Sequence, residues 1–267
     1  MEKLREFFSS HNIEFYTILD YSDCREINSG LIARENFTPR SVILFVIPYN
    51  GGKTQNLSRY AASKDYHLFI RSFNNELCAL LKEMFPNAIC RGYGDHSPID
   101  ERHAALIGGL GILGDNGLVI NEKYGSYIFI ADVLTDIPAE LLGGRGACEI
   151  KRCLSCGACA RACPTGILRN EGSDCLSAIT QRKGELSEEE VELMRKYNTV
   201  WGCDLCQTAC PYNASPVLSP IKFFLEDRIE CLDSETLYSM SKEEFKERAF
   251  AWRGRKTVER NLKLLDY

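Results

Sequence analysis

Eight of the thirteen cysteines follow a regular spacing in the second half of the chain. The first run reads Cys153-x2-Cys156-x2-Cys159-x3-Cys163-Pro164, the second reads Cys203-x2-Cys206-x3-Cys210-Pro211, and Cys175 lies between them. Short Cys-x2-Cys steps allow one loop to bring three thiolates to a [4Fe–4S] cube, and the cysteine before proline ligates the other cube when two are present. This spacing predicts two [4Fe–4S] clusters and a redox protein.

The ligands divide between the two clusters once both runs are aligned from their prolines. The second run then lacks its first cysteine, and Cys175 is available to supply that ligand. Cys148 is an alternative ligand, although its x4 spacing to Cys153 fits the pattern less well. The predicted ligand sets are Cys153, Cys156, Cys159 and Cys210 for cluster one, and Cys163, Cys175, Cys203 and Cys206 for cluster two.

Two other uses of paired cysteines fit the sequence less well. A structural zinc site closes with four ligands and gives no reason to repeat the Cys-x3-Cys-Pro step. A disulfide framework is disfavoured by the odd number of cysteines and by the opening residues MEKLREFFSS, which lack the apolar segment of a secretion signal. We therefore expect a reducing, cytoplasmic location.

Composition limits the class of protein and its partners. A chain of 267 residues that is 45% hydrophobic can bury a substantial core, and it has no apolar stretch of the roughly twenty residues that a membrane helix requires. We expect a soluble protein. The net charge of -5 disfavours a surface that coats nucleic acid, yet basic residues concentrate at 145–169 and at 242–263. Each of these regions is either a site for an anionic partner or a solvated helix face.

The residues before the cysteine runs have the pattern of a mixed α/β domain. A buried strand is predicted at Val42–Ile47 by its continuous apolar run, and an amphipathic helix at Tyr66–Met84 by apolar residues at helical spacing. Two further strands are predicted at Leu118–Ile120 and Tyr127–Leu134, joined by a turn at 121–125. Glycines at 143, 144 and 146 mark the predicted domain boundary.

One glycine motif in this half matches a dinucleotide fingerprint only in its letters. Residues 109–114 read G-x-G-x-x-G, but that fingerprint requires a strand before it and a helix after it. Here a helical segment at 101–108 precedes the glycines, and a turn and a strand follow them. These glycines either permit close approach of the backbone to a bulky planar ligand or make turns.

The sequence resembles the iron–sulfur and cobalamin-dependent epoxyqueuosine reductases over most of its length from about position 40. The resemblance is carried by Asp95-x2-Pro98-x2-Glu101-Arg102, by Gly109-x-Gly111-x2-Gly114-x-Asn116, and by both cysteine runs with Cys175. Further matching segments are Ser58-Arg59-Tyr60, Lys64-Asp65-Tyr66-His67, Tyr124-Gly125-Ser126-Tyr127, Gly202-Cys203-Asp204 and Trp252-Arg253-Gly254.

The resemblance implies an α+β protein in which a nitroreductase-like α/β cobalamin-binding domain precedes a two-[4Fe–4S] ferredoxin-like domain. The expected segments are a cobalamin and substrate domain at 1–145, a double-cluster domain at 146–225 and a helical tail at 226–267 that packs on the core. Asp95 is the implied proton donor, and Glu101 and Arg102 are expected to pair with other groups in the pocket wall. The implied corrinoid-binding residues are Tyr60, Tyr66, His67, Gly111, Gly114, Asn116, Tyr124 and Ser126.

The implied reaction is reductive removal of the epoxide oxygen from epoxyqueuosine in tRNA, with electrons from a low-potential donor such as a flavodoxin or ferredoxin. Family members usually continue into a C-terminal helical-repeat domain that helps to hold tRNA, whereas this sequence ends soon after Trp252-Arg253-Gly254. We expect a short form of the family. Two alternatives stay open: a related corrinoid reductase acting on a small molecule or free nucleoside, and a ferredoxin-type electron carrier.

Overall fold

The computed structural model describes residues 2–35, 37–172 and 174–267. They fall into two compact units, and each combines segments that are distant in sequence. The first unit comprises Met1–Pro48 and His67–Ser155, and the second comprises Tyr49–Tyr66 and Cys156–Tyr267. No helix within the described ranges has an apolar stretch long enough to cross a membrane.

A four-stranded antiparallel sheet organises the first unit. Its strands are β1 (Tyr16–Asp20), β2 (Ser41–Pro48), β3 (Cys90–Tyr93) and β6 (Ile128–Thr135), in the order β1-β2-β6-β3. A separate ribbon pairs β4 (Ile112–Leu113) with β5 (Val119–Ile120). The helices of this unit are α1 (Glu2–Ser10), α2 (Ser29–Glu35), α3 (Tyr66–Met84, whose first residue belongs to the second unit) and α4 (Glu101–Ile107).

Helices cover both faces of this sheet, which explains why every residue of β2 is buried. On one face, the ring of Phe45 lies 4.6 Å from that of Phe73 in α3 and 5.7 Å from that of Phe8 in α1, measured between centroids. On the other face, the neighbouring Leu44 joins a cluster that includes Ala104 of α4. Successive strand residues thus serve opposite layers.

The second unit is built from short helices around two apolar clusters, the smaller of which contains Leu176, Ile179 and Met194. Trp201 and Phe250 are fully buried in the larger cluster, with ring centroids 6.4 Å apart. Asn261 of the last helix is also buried, and its Nδ2 donates to the carbonyls of Thr180 and Val200 at 2.7 and 2.8 Å. The helices are α5 (Ala158–Ala162), α6 (Leu176–Gln181), α7 (Glu188–Lys196), α8 (Leu205–Thr208), α9 (Ser234–Ser239), α10 (Lys242–Lys246) and α11 (Arg255–Leu264).

The mixed α/β unit predicted for the first half of the chain is present. The helix predicted at Tyr66–Met84 has those bounds, and the strands predicted near 42–47, 118–120 and 127–134 differ from β2, β5 and β6 by one or two residues. The second unit includes residues 49–66, which the sequence did not assign to it. The division into segments at 145 and 225 stays a prediction.

Candidate functional site

The cysteine loops of the second unit contain tight left-handed turns. Cys156 is followed by Gly157 with φ of 72°, and the turn leads into α5, which contains Cys159. Cys163 follows the last residue of α5, and Cys175 is the N-cap of α6. Glycine is the residue best suited to such turns, because it has no Cβ to clash at positive φ. The backbone therefore turns within a few residues of these cysteines.

The remaining predicted ligands lie before, within and after α8, except for Cys153, which lies in the first unit. Cys203 precedes α8, Cys206 lies within it, and Cys210 caps the short 3-10 helix Pro211–Asn213. Cys153 belongs to the first unit, where its N–H donates to the carbonyl of Leu113 at 3.0 Å. Among the described residues, no three His, Cys, Asp or Glu side chains surround a point where one metal ion would fit.

Local hydrogen bonds favour the thiolate of Cys163. Burial acts to raise the pKa of this thiol, but N–H groups of Leu168, Thr165 and Gly166 and the hydroxyl of Thr165 outweigh it and lower the pKa below the ordinary value. Thr165 Oγ1 lies 3.7 Å from the sulfur. A thiolate is the form that ligates iron, so this loop is prepared for a ligand role.

A half-buried carboxylate joins the loop before α8 to the segment 49–66. Asp204 accepts hydrogen bonds from Ser58 Oγ at 2.5 Å and from the Arg59 N–H at 2.7 Å. Gly202 must be glycine here, because its φ is +75° and an added Cβ would lie 2.4 Å from that of Ser58. Tyr60, a predicted corrinoid residue, accepts a hydrogen bond from Trp201 Nε1 at 3.1 Å. These contacts fix the backbone that presents Cys203 and Cys206.

Asp95 lies in the loop between β3 and α4 of the first unit. Its backbone has a φ of 69°, which is uncommon for a residue with a side chain, although aspartate tolerates it better than most. The Asp95 side chain is 48% exposed, and its Oδ2 lies 3.5 Å from Nε2 of His67 in α3. The structure thus brings together two of the predicted site residues, an exposed carboxyl group and an imidazole.

Two carboxyl groups lie against this loop, and one of them was not predicted from the sequence. Asp132 of β6 is fully buried, and the half-buried Glu101 at the start of α4 lies beside it. Ser97 Oγ donates to Asp132 Oδ2 at 3.1 Å. Burial raises the pKa of both carboxyls, and for Glu101 the charges of Asp132 and Asp95 raise it further. The pair can therefore retain a proton at neutral pH.

The glycines at 111 and 114 lie at the ends of β4 and have a packing reason. A Cβ on Gly111 would lie 2.6 Å from the carbonyl oxygen of Ile120, and one on Gly114 would lie 2.5 Å from Asn116 Oδ1. Gly111 permits close approach of two backbone segments, and Gly114 leaves room for the Asn116 side chain. Asn116 Oδ1 accepts from the Leu118 N–H at 3.3 Å, while its Nδ2 is buried without a partner among the described residues.

Of the last three predicted corrinoid residues, Tyr124 and Ser126 lie in the segment that connects β5 and β6, and Tyr66 lies elsewhere. Tyr124 is buried, and its hydroxyl donates to Glu14 Oε1 at 3.0 Å. Ser126 is buried in the same stretch, and Tyr66 begins α3. Tyr124 therefore has a structural partner, whereas the unpartnered amide of Asn116 marks a position where a bound group would find a donor.

Comparisons with known proteins agree with the cysteine pattern and extend beyond it. A family model described as a 4Fe-4S double cluster binding domain matches residues 152–213. The epoxyqueuosine reductase of Staphylococcus aureus (strain NCTC 8325 / PS 47) is 30% identical over 247 residues, which is 84% of this chain and 62% of that protein. The chain thus spans less than two thirds of the length of this relative.

Solved structures of epoxyqueuosine reductases have the same fold. One from Bacillus subtilis, in which the loop with the catalytic aspartate is swung out of the active site, has a TM-score of 0.78 and 25% identity, with 99% of this chain and 80% of that chain covered. Another, in complex with an epoxyqueuosine-modified tRNA-Tyr stem loop, has a TM-score of 0.76 and 25% identity with the same coverage.

Proposed function

We propose that this chain, which is similar to epoxyqueuosine reductases over most of its length, is an oxidoreductase that converts epoxyqueuosine to queuosine in tRNA. The observation that carries the proposal is the match to curated epoxyqueuosine reductases over 84% of this chain. Removal of the epoxide oxygen as water takes two electrons and two protons. The protein must therefore supply a low-potential electron path and a proton donor.

The family's cofactors are two [4Fe–4S] clusters and a cobalamin. The cysteines fit the clusters in number and spacing, and the hydrogen-bonded Cys163 thiol has the chemistry of a ligand. The unpartnered, buried Nδ2 of Asn116 fits a group that accepts a hydrogen bond beside Gly114. Bound cobalamin supplies a strongly reducing metal centre, and Asn116 with its glycine neighbours would help to hold it.

Asp95 is the group that we assign to proton delivery. Its carboxyl is half exposed, so it can reach a substrate, and His67 lies within 3.5 Å to orient it. The Bacillus subtilis relative has been observed with its catalytic aspartate loop swung out of the active site. We propose that loop 94–100 of this chain carries the corresponding aspartate and moves in the same way.

The substrate and partners follow from the same family. The relative in complex with an epoxyqueuosine-modified tRNA stem loop supports tRNA as the substrate of this chain. A low-potential flavodoxin or ferredoxin is the proposed electron donor, and the cytoplasm is the proposed location. A corrinoid reductase of free nucleosides is the alternative function that the following experiment separates from this one.

The test is anaerobic reconstitution with iron, sulfide and cobalamin, followed by turnover with a chemical reductant. Two substrates are compared, tRNA containing epoxyqueuosine and free epoxyqueuosine. The same tRNA already carrying queuosine is the control. Nucleoside mass analysis should detect queuosine from the first substrate. Conversion of the free nucleoside alone would replace the proposal by the alternative, and bound corrinoid with neither substrate converted would reject epoxyqueuosine as the substrate.

A further inference from the structure

We propose that Glu101 and Asp132 form a proton-sharing carboxyl pair that holds the Asp95 loop in place, and that loss of the shared proton releases the loop. Glu101 and Asp132 are positioning residues in this proposal. That the loop serves catalysis rests on the proposed function, whereas the hold on the loop rests on contacts within the first unit.

The pair has two buried acceptor atoms and a place for one proton. Glu101 Oε1 and Asp132 Oδ1 are both buried, and neither receives a hydrogen bond from a donor in the part of the chain that the structure describes. The helix α4 packs on β6, and the negative charge of Asp132 raises the pKa of Glu101, so the two carboxyls are neighbours. Two neighbouring buried carboxylates repel each other strongly when both are ionised, so a single proton between them satisfies both atoms.

The loop segment 95–97 contacts this pair. The hydroxyl of Ser97 donates to Asp132 Oδ2 at 3.1 Å, and the backbone N–H of Asp95 lies close enough to the carboxyl of Glu101 to lower its pKa. Ser97 also accepts from the Ile99 N–H at 3.4 Å. The left-handed backbone at Asp95 costs about 1 kcal/mol or more, so it requires contacts of this kind to persist.

The charges around the pair would make loss of the proton costly. Glu101 is under the influence of Asp132 and Asp95, both of which are acids. Asp132 also lies near the Cys24 thiol and pairs with Tyr93 in the register of the sheet. A second negative charge would therefore arise next to acids and ionisable groups of the same sign. The expected response is separation of Glu101 from Asp132, with movement of the loop that both contact.

Hydrogen exchange of the loop amides tests this in the loaded protein without reference to turnover. Peptides covering 93–98 are compared in the wild type, Glu101→Gln and Glu101→Ala. Glutamine can donate to Asp132 and accept from Asp95 while carrying no proton to lose, so it should preserve protection at all pH values. Alanine should increase exchange by about tenfold or more. Glu140→Ala, which removes an exposed acid of the same unit, is the matched control.

The pH dependence gives the decisive comparison. Between about pH 6 and about pH 9, wild-type protection should fall relative to Glu101→Gln measured at the same pH. Equal protection in the wild type and Glu101→Ala, or identical pH dependence in the wild type and Glu101→Gln, would overturn the proposal. Should Glu101→Ala fail to fold, Asp132→Asn provides a second neutral variant, with the same expectation as Glu101→Gln.

Turnover separates this inference from the proposed function. With epoxyqueuosine tRNA, Glu101→Ala should lower kcat with little change in KM, and Glu101→Gln should restore it and shift the alkaline limb of the pH profile. The wild type could show the expected hydrogen exchange and yet not turn over epoxyqueuosine tRNA. That result would reject the proposed reaction and leave the positioning role of Glu101 and Asp132 intact.

Discussion

At the scale of single residues, Asp132 is the side chain that most departs from its surroundings. It occupies the buried strand β6 opposite Leu44, where an isolated carboxylate would cost several kcal/mol. The proton shared with Glu101 avoids that cost. Asp95 was predicted as the proton donor from the family resemblance, and Glu101 was expected to pair with another group. That Asp132 is this group was not predicted. The available signal was an acid within the apolar run IFIADVLT, and its partner lies 31 positions away, at a separation that periodicity does not reveal.

The raised pKa values of the pair make the stability of the first unit depend on pH. A carboxyl whose pKa is raised by folding favours the native state at low pH, and this contribution declines as pH rises above the ordinary carboxyl pKa toward the raised value. Glu101→Gln removes the titrating group. Relative to the wild type, this variant should therefore gain stability between about pH 5 and about pH 9, by about 1 to 3 kcal/mol. Thermal melting across this range measures the gain, and parallel curves for the two proteins would refute it.

Asp95→Asn tests the assignment of the proton donor. Asparagine tolerates positive φ as well as aspartate does, so the loop should keep its conformation while losing an acidic proton. Clusters and corrinoid should bind as in the wild type, and turnover should fall by about 10² to 10⁴-fold. Single-turnover assays with spectroscopic quantification of the cofactors distinguish this result from cofactor loss. A wild-type rate would remove Asp95 from the chemistry.

At the scale of elements, local patterns predicted the long segments and only part of the short ribbon. The helix α3 was predicted from apolar residues at helical spacing over 19 residues, and the strand β2 from a continuous apolar run. Of the two-residue ribbon strands, β5 was predicted, whereas β4 lies among glycines and was missed. Its glycines were predicted either to allow close approach of the backbone to a bulky planar ligand or to make turns. The structure shows that at Gly111 the approaching group is the backbone of Ile120.

Gly111→Ala should destabilise this ribbon. The new methyl group would overlap the carbonyl of Ile120, and backbone cannot move aside as a flexible side chain can. The expected loss is about 1 to 3 kcal/mol, seen as a lower melting temperature of the first unit. Gly146→Ala is the matched control, because nothing lies within 4 Å of its Cβ position. Equal melting of Gly111→Ala and Gly146→Ala would contradict the packing explanation.

At the scale of the whole molecule, the basic region 242–263 has both internal and exposed members. Arg255 donates to the carbonyls of Leu237 and Met240 at 2.8 and 3.1 Å, which makes its role structural. By contrast, the ring of Trp252 is 58% exposed and the guanidinium of Arg253 stacks 3.7 Å from its centroid. An exposed aromatic ring beside a cation suits contact with a base or phosphate.

If tRNA is the substrate, Trp252→Ala should weaken its binding by about 1 to 3 kcal/mol without altering the clusters. Tyr238→Ala, which removes a ring that is also 58% exposed in the same unit, is the control. Filter binding at several salt concentrations measures the effect. Equal affinity of Trp252→Ala and the wild type would exclude this ring from the tRNA surface.

The cysteine spacing was the strongest sequence signal for the whole molecule, because each [4Fe–4S] cluster requires four thiolates at restricted positions along the chain. Cys175 lies outside both runs, so its assignment as a ligand depends on the missing first cysteine of the second run. Cys175 is exposed at the N-cap of α6, and it lies close enough to Cys203, just before α8, to raise the pKa of that thiol. Cys175→Ala should therefore lose one cluster, about half of the bound iron and sulfide, and keep the other.

Anaerobic iron and sulfide analysis with electron paramagnetic resonance of the reduced protein measures this loss. Cys148→Ala addresses the alternative ligand, whose Sγ lies 3.7 Å from the Leu106 carbonyl in the first unit and which should leave both clusters in place. Cys231→Ala, outside the pattern and half-buried, controls for removal of a thiol. Cys163 belongs to the first run but is assigned to cluster two, together with Cys175. Cys163→Ala should therefore lose the same cluster as Cys175→Ala, whereas Cys153→Ala should lose the other one. Full iron in Cys175→Ala together with half in Cys148→Ala would reverse the assignment.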